Sequence, residues 1–127
     1  MTNLLLWVLQ LLLAAEYLAH GWLLLSPPPH LAEQIKASIP TALRLLIGVA
    51  ELAAAAGLVL PGLTRIAPWL TPLAAAGLIP IMIGATVLHL ARDEFSSAAT
   101  TALLLVLVTL VAYWRWKVAP LRSRTEA

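Results

Sequence analysis

The sequence predicts an all-α, polytopic membrane protein: a four-helix transmembrane bundle with a short interfacial helix between helices 1 and 2. Three observations carry this. Of 127 residues, 61% are hydrophobic and 11% charged, against about 25% charged in an ordinary soluble domain. The apolar residues are gathered into four runs, roughly 4–25, 42–60, 67–91 and 97–117. Each is close to the ~20 residues that cross ~30 Å of hydrocarbon. Strong breakers separate the runs, and the chain 1–127 reads as a single transmembrane domain.

The first run follows Met1-Thr2-Asn3, which lacks the positive n-region of a signal peptide. It is also long for a cleaved h-region, so it is expected to be a retained span. Ser26-Pro27-Pro28-Pro29 stops it. In His30–Ile39, Leu31, Ile35 and Ile39 recur at i, i+4 and i+8 while Glu33 and Lys36 point elsewhere. That pattern fits a short amphipathic helix lying in the interface over one end of the bundle. Pro61-Gly62 is expected to stop the second span. Arg92-Asp93-Glu94 separates the third from the fourth, with Ser96 or Ser97 as the cap of the last helix.

Orientation follows from Lys and Arg. Arg65, Arg115, Lys117, Arg122 and Arg124 lie on the side that holds both termini; Lys36, Arg44 and Arg92 lie on the other. The expectation is a multi-pass protein of a cell (inner) membrane, of the bacterial type, with both termini cytoplasmic. Trp7, Trp69, Trp114 and Trp116 fall near the cytoplasmic boundary and Trp22 near the outer one, as interfacial anchors do. The net charge of +2 comes largely from the C-terminal cations. A basic stretch directly after an apolar helix answers to topology and anionic lipid, not to nucleic acid. The chain has no cysteine, which excludes thiol redox chemistry, Fe–S ligation and thioether-attached haem within it.

Four ionisable residues stand inside the spans: Glu16, His20, Glu51 and His89. A charge at mid-bilayer costs at least ~3 kcal/mol, so such groups usually face protein or a wet cavity. Counted from the nearest outer boundary, Glu16 lies ~14 Å deep, Glu51 ~10 Å, His20 ~7 Å and His89 ~5 Å. All four fall in the outer half of the bilayer. Glu16 and His20 are i, i+4 neighbours, Arg44 and Glu51 are i, i+7, and Thr86 and His89 are i, i+3; Thr100 and Thr101 enter the fourth span at the same level. The expectation is one common ligand site of Glu16, His20, Glu51, His89, Arg44 and Thr86, with Arg44 able to neutralise Glu51. No metal site is expected. The alternative is a satisfied packing network, since polar side chains also hold membrane helices together. Gly48, Ala53–Gly57, Ala74–Gly77 and Gly84-Ala85 allow close helix approach. Pro80 is expected to free a carbonyl and kink the third span.

Gly48-Val49-Ala50-Glu51-Leu52, the Ala-rich turn after it and Gly57-Leu58-Val59-Leu60-Pro61 resemble the second helix of DoxX-like membrane proteins. The resemblance continues through Ile66–Ala74, through His89-Leu90-Ala91-Arg92-Asp93-Glu94, and in His20-Gly21. It implies that Glu51 and His89 match the family's Glu of the second helix and His of the third. Glu16 and Trp22-Leu23-Leu24-Leu25 depart from the commoner pattern, which has a Gly-x-x-Lys there. Some DoxX relatives are membrane subunits of thiosulfate:quinone oxidoreductases and others are linked to redox-stress assemblies.

Three functions follow as expectations. The first is a membrane subunit binding quinone or a similar lipophilic ligand, with His20 or His89 donating to a quinone oxygen and Glu16 or Glu51 relaying protons. A soluble or membrane redox partner, or a bound cofactor, would then supply electrons. The second is a non-catalytic scaffold, possible also as a homo-oligomer. The third is a small proton-coupled exporter, a class that Ala14-Ala15-Glu16 superficially resembles although its other signature residues are absent. A haem held by His20 and His89 would need both imidazoles ~2 Å from one iron and is the least favoured cofactor.

Overall fold

In the computed structural model, residues 1–126 are described. The helices are α1 (Thr2–Leu25), α2 (Pro29–Ser38), α3 (Thr41–Thr64), α4 (Leu70–Ala91) and α5 (Phe95–Tyr113). A turn of π-helix, Trp114–Val118, extends α5, and a 3₁₀ turn covers Arg124–Glu126. There is no strand among the described residues. Four stretches, Thr2–Leu25, Thr41–Thr64, Leu70–Ala91 and Phe95–Val118, are long and apolar enough to cross a membrane.

α3 packs on α1 and on α4, α4 packs on α5, and a slighter contact between α1 and α5 closes the ring. α1 and α4 therefore stand on one diagonal. Consecutive spans are antiparallel, the first pair shown by the bond from Arg44 at the start of α3 to the carbonyl of Leu24 at the end of α1, so both termini share one end. The hydrogen bond from Arg115 to Asn3 fixes this directly. On α1 the buried residues are Leu6, Gln10, Leu13, Tyr17, Gly21 and Leu24. Their spacing of three or four residues is the seam of a bundle helix. Leu13, Tyr17, Leu58, Ala75, Leu78, Met82, Val108 and Val111 form the centre. The large apolar side chains left outside, such as Leu12, Leu46, Val49, Val87 and Val106, are what a bilayer covers.

α2 begins with Pro29 in its first turn, where a missing N–H costs nothing. Leu31, Ile35 and Ile39 are half-buried and the other face is exposed, as an interfacial helix requires. Arg92 Nη2 donates to the carbonyl of Ser38 at 2.5 Å, tying the end of α2 to the end of α4.

Two boundaries differ from the sequence expectation. α3 does not stop at Pro61-Gly62; it continues to Thr64 and ends on Arg65, whose φ of 58° is left-handed. Proline within a helix deprives the carbonyl four residues back of its donor. Here that carbonyl is Gly57 O, and the Thr71 hydroxyl of α4 donates to it at 3.1 Å. Arg124 covers the final carbonyls, its N–H bonding Arg65 O at 3.1 Å and its Nε bonding Thr64 O at 2.9 Å. α5 starts at Phe95 with Glu94 as N-cap residue, not with Ser96 or Ser97, and without a side-chain cap bond.

Candidate functional site

α1 and α3 come into close contact where Gly21 faces Gly48. A methyl group on Gly21 would lie 2.9 Å from the carbonyl oxygen of Gly48 and 3.1 Å from Cβ of Glu51. Neither glycine is in a left-handed conformation; what the site uses is the missing side chain, which lets the backbones touch. One residue before Gly21, His20 extends across this crossing. Its Nδ1 lies 2.7 Å from Oε2 of Glu51.

The two partners differ sharply in environment. The Glu51 side chain is 1% exposed, whereas the His20 ring is 47% exposed on the outer flank of α1. An ionised carboxylate only accepts hydrogen bonds, so with Glu51 ionised the proton lies on Nδ1. Nε2 then accepts if the ring is neutral and donates if it is charged. One side of the pair is sealed in protein, and the other is open to whatever surrounds the helix. Tyr17, one turn below, has its hydroxyl buried without a hydrogen-bond partner among the described residues.

Glu16 is exposed on the same flank, one turn from His20, and makes no hydrogen bond among the described residues. Arg44 is buried, but its Nη1 donates to the carbonyl of Leu24 at the end of α1. No ion pair joins it to Glu51 among the described residues, so the expected neutralisation is replaced. Helix C-termini carry unsatisfied carbonyls and partial negative charge, which draw a guanidinium. His20 takes the place beside Glu51.

His89 is held at the opposite corner. Its Nδ1 lies 2.5 Å from Oε2 of Glu94, across the turn that joins α4 to α5. Thr86 meets Thr101 at 2.9 Å between their Oγ1 atoms, and Thr86 also donates to Met82 O at 2.7 Å. The polar groups therefore form separate histidine–glutamate pairs on diagonal helices, with a threonine pair on the α4–α5 seam. They are not linked into one cavity by hydrogen bonds among the described residues. They lie toward the same end of the bundle, but helical phase sends each to its own seam. Among the described residues no three His, Asp or Glu side chains converge as a metal site.

One polar cluster stands at the other end. Arg115, 2% exposed, donates through Nε to Gln10 Oε1 at 2.6 Å and through Nη1 to Asn3 Oδ1 at 2.7 Å. Gln10 passes the chain on, its Nε2 donating to Leu58 O at 2.5 Å. In the sequence Arg115 reads as one of the C-terminal cations that answer to topology and anionic lipid, and nothing next to it signals burial. Gln10 inside an apolar run, seven residues from both Asn3 and Tyr17, was the clue to a polar seam.

The profile of the DoxX-like family matches residues 8–111. The chain belongs to the DoxX-like family. The match includes His20, Glu51 and His89 and thus the four-span core of a DoxX-like protein, while Asn3 and Arg115 fall outside it. No curated protein and no solved structure shows a significant similarity to the chain.

Proposed function

We propose that this DoxX-like protein binds a quinone or similar lipophilic molecule at the His20–Glu51 pair, entering laterally from the bilayer. The supporting observation is the contrast within the pair, a sealed carboxylate bonded at 2.7 Å to a half-exposed imidazole. A quinone carbonyl needs a donor and a quinol hydroxyl needs an acceptor; imidazole Nε2 supplies either. Glu51 fixes the ring and holds charge behind it, and Glu16 lies on the same exposed flank. The chain itself has no cysteine, so electrons for a redox step would come from a partner protein or bound cofactor. This suits a membrane subunit of a redox assembly. The Lys/Arg distribution favours an orientation with both termini cytoplasmic, and spans that are helical suit an inner membrane.

A scaffold reading rests on the Gly21–Gly48 contact, beside which the His20–Glu51 bond also serves as a helix clamp. Titration of the detergent-solubilised protein with a short-chain benzoquinone separates the two. Trp22, two residues from His20 and exposed at this end, should be quenched saturably, and Trp22→Phe should remove that quenching. His20→Phe and Glu51→Gln should weaken binding at least tenfold. Unsaturable quenching, or equal affinity in both variants, would leave the scaffold reading.

A further inference from the structure

Arg115 is a buried charge with no counter-ion among the described residues. Its guanidinium is buried in the π-helical turn after α5. Among the described residues every partner it has is neutral: Gln10 Oε1, Asn3 Oδ1 and the carbonyl of Ala119 at 3.0 Å. The face of Trp7 lies 5.6 Å away. No carboxylate is within ion-pair distance among the described residues, and Nη2 has no hydrogen-bond partner. The nearest acidic group in sequence, Glu126, is turned to the N–H of Ser123 at 2.9 Å. A buried guanidinium with a free donor and no counter-ion is a costly arrangement.

A second feature meets it there. α1 begins at Thr2 with no side-chain cap, and its first helical bond is that of Leu5 to Met1 O. The N–H groups of the first turn are therefore left for an external acceptor, at the positive end of the helix dipole. Asn3 belongs to that turn, is exposed, and already places an oxygen on Nη1. Lys117 is exposed close by in sequence, and Leu4 and Leu5 present bare apolar surface beside Asn3.

We propose that Arg115 and the first turn of α1 form a binding site for a phosphate oxyanion, supplied by an anionic phospholipid headgroup at the membrane surface on the side of the termini. The phosphate oxygens take the place of the Asn3 amide oxygen on Nη1, reach Nη2, and accept from the open N–H groups of α1. The acyl chains run along Leu4 and Leu5. This site is independent of the His20–Glu51 pair at the opposite end.

The test is thermal unfolding and native mass spectrometry of delipidated full-length protein, with phosphatidylglycerol, phosphatidylcholine or inorganic phosphate added. Phosphatidylglycerol should bind and raise Tm, and phosphatidylcholine should bind at least tenfold more weakly. Inorganic phosphate at millimolar level matching phosphatidylglycerol would retain the oxyanion site but assign it to free phosphate. Arg115→Met should abolish the preference for phosphatidylglycerol. Should that variant fail to fold, Asn3→Asp keeps the test: its carboxylate supplies the missing counter-ion, raising Tm without lipid and weakening phosphatidylglycerol binding at least tenfold. The proposal is overturned if wild type prefers neither anion over phosphatidylcholine, or if Asn3→Asp binds phosphatidylglycerol as wild type does.

Discussion

Replacing Gly21 with alanine tests the α1–α3 crossing on which the His20–Glu51 pair depends. The new methyl would sit 2.9 Å from Gly48 O, 3.1 Å from Glu51 Cβ and 3.2 Å from Leu52 Cδ2. The nearest of these is backbone, which cannot rotate away, so the helices must part by about half an ångström to reach ordinary contact. Overpacking of this kind costs ~1–3 kcal/mol. Alanine offsets up to ~1 kcal/mol through its better helix propensity, leaving a net loss of up to ~2 kcal/mol, to which a weakened His20–Glu51 bond adds. The same separation would stretch the 2.7 Å His20–Glu51 bond toward the ~3.2 Å limit of a good hydrogen bond. Gly77, which has nothing within 4 Å of an added methyl, is the control: Gly77→Ala should be neutral or stabilising by up to ~1 kcal/mol. Gly48→Ala meets mainly the Leu25 side chain at 2.8 Å, which can shift, so its cost should fall between the two. Reversible unfolding in mixed micelles, followed by circular dichroism, reads all three. Equal stability of Gly21→Ala and wild type, or an equal loss in Gly77→Ala, would refute the reasoning.

Thr71→Val should cost ~1 kcal/mol by stranding the Gly57 carbonyl, and the loss should shrink in a Pro61→Ala background, where residue 61 regains its N–H; an unfolding double-mutant cycle checks the coupling. Glu16→Gln should not lower stability, because Glu16 makes no hydrogen bond among the described residues; a loss by the same unfolding assay would place Glu16 in a contact. Cysteines introduced singly at Ser38 and Ser123, in a chain that has none of its own, should label from opposite sides of intact cells; labelling from one side would end the topology.

The four spans were legible because length and hydropathy alone decide what crosses a bilayer. The interfacial helix was legible because Leu31, Ile35 and Ile39 repeat on one face. The end of α3 was not, because its continuation past Pro61 depends on Thr71 of another helix accepting the role of the lost backbone donor. The partners of the polar residues were illegible for a related reason. Depth along the membrane can be counted from the sequence, but the seam each side chain enters depends on helix rotation. His20 reached Glu51 because two glycines meet beside it. Arg44 was diverted by the carbonyls at the end of α1, and Glu94 claimed His89 from across a turn. Arg115 needed both ends of the chain brought together before its burial could be seen.

The central claim, that the His20–Glu51 pair presents a bilayer-open imidazole to a lipophilic ligand, is tested most directly by ¹⁵N-histidine NMR of the reconstituted protein. A short-chain benzoquinone should shift the ring nitrogens of His20, leave those of His30 unmoved, and lose its effect on His20 in Glu51→Gln. No change at His20 on saturation with the quinone, or the same change at His30, would contradict it.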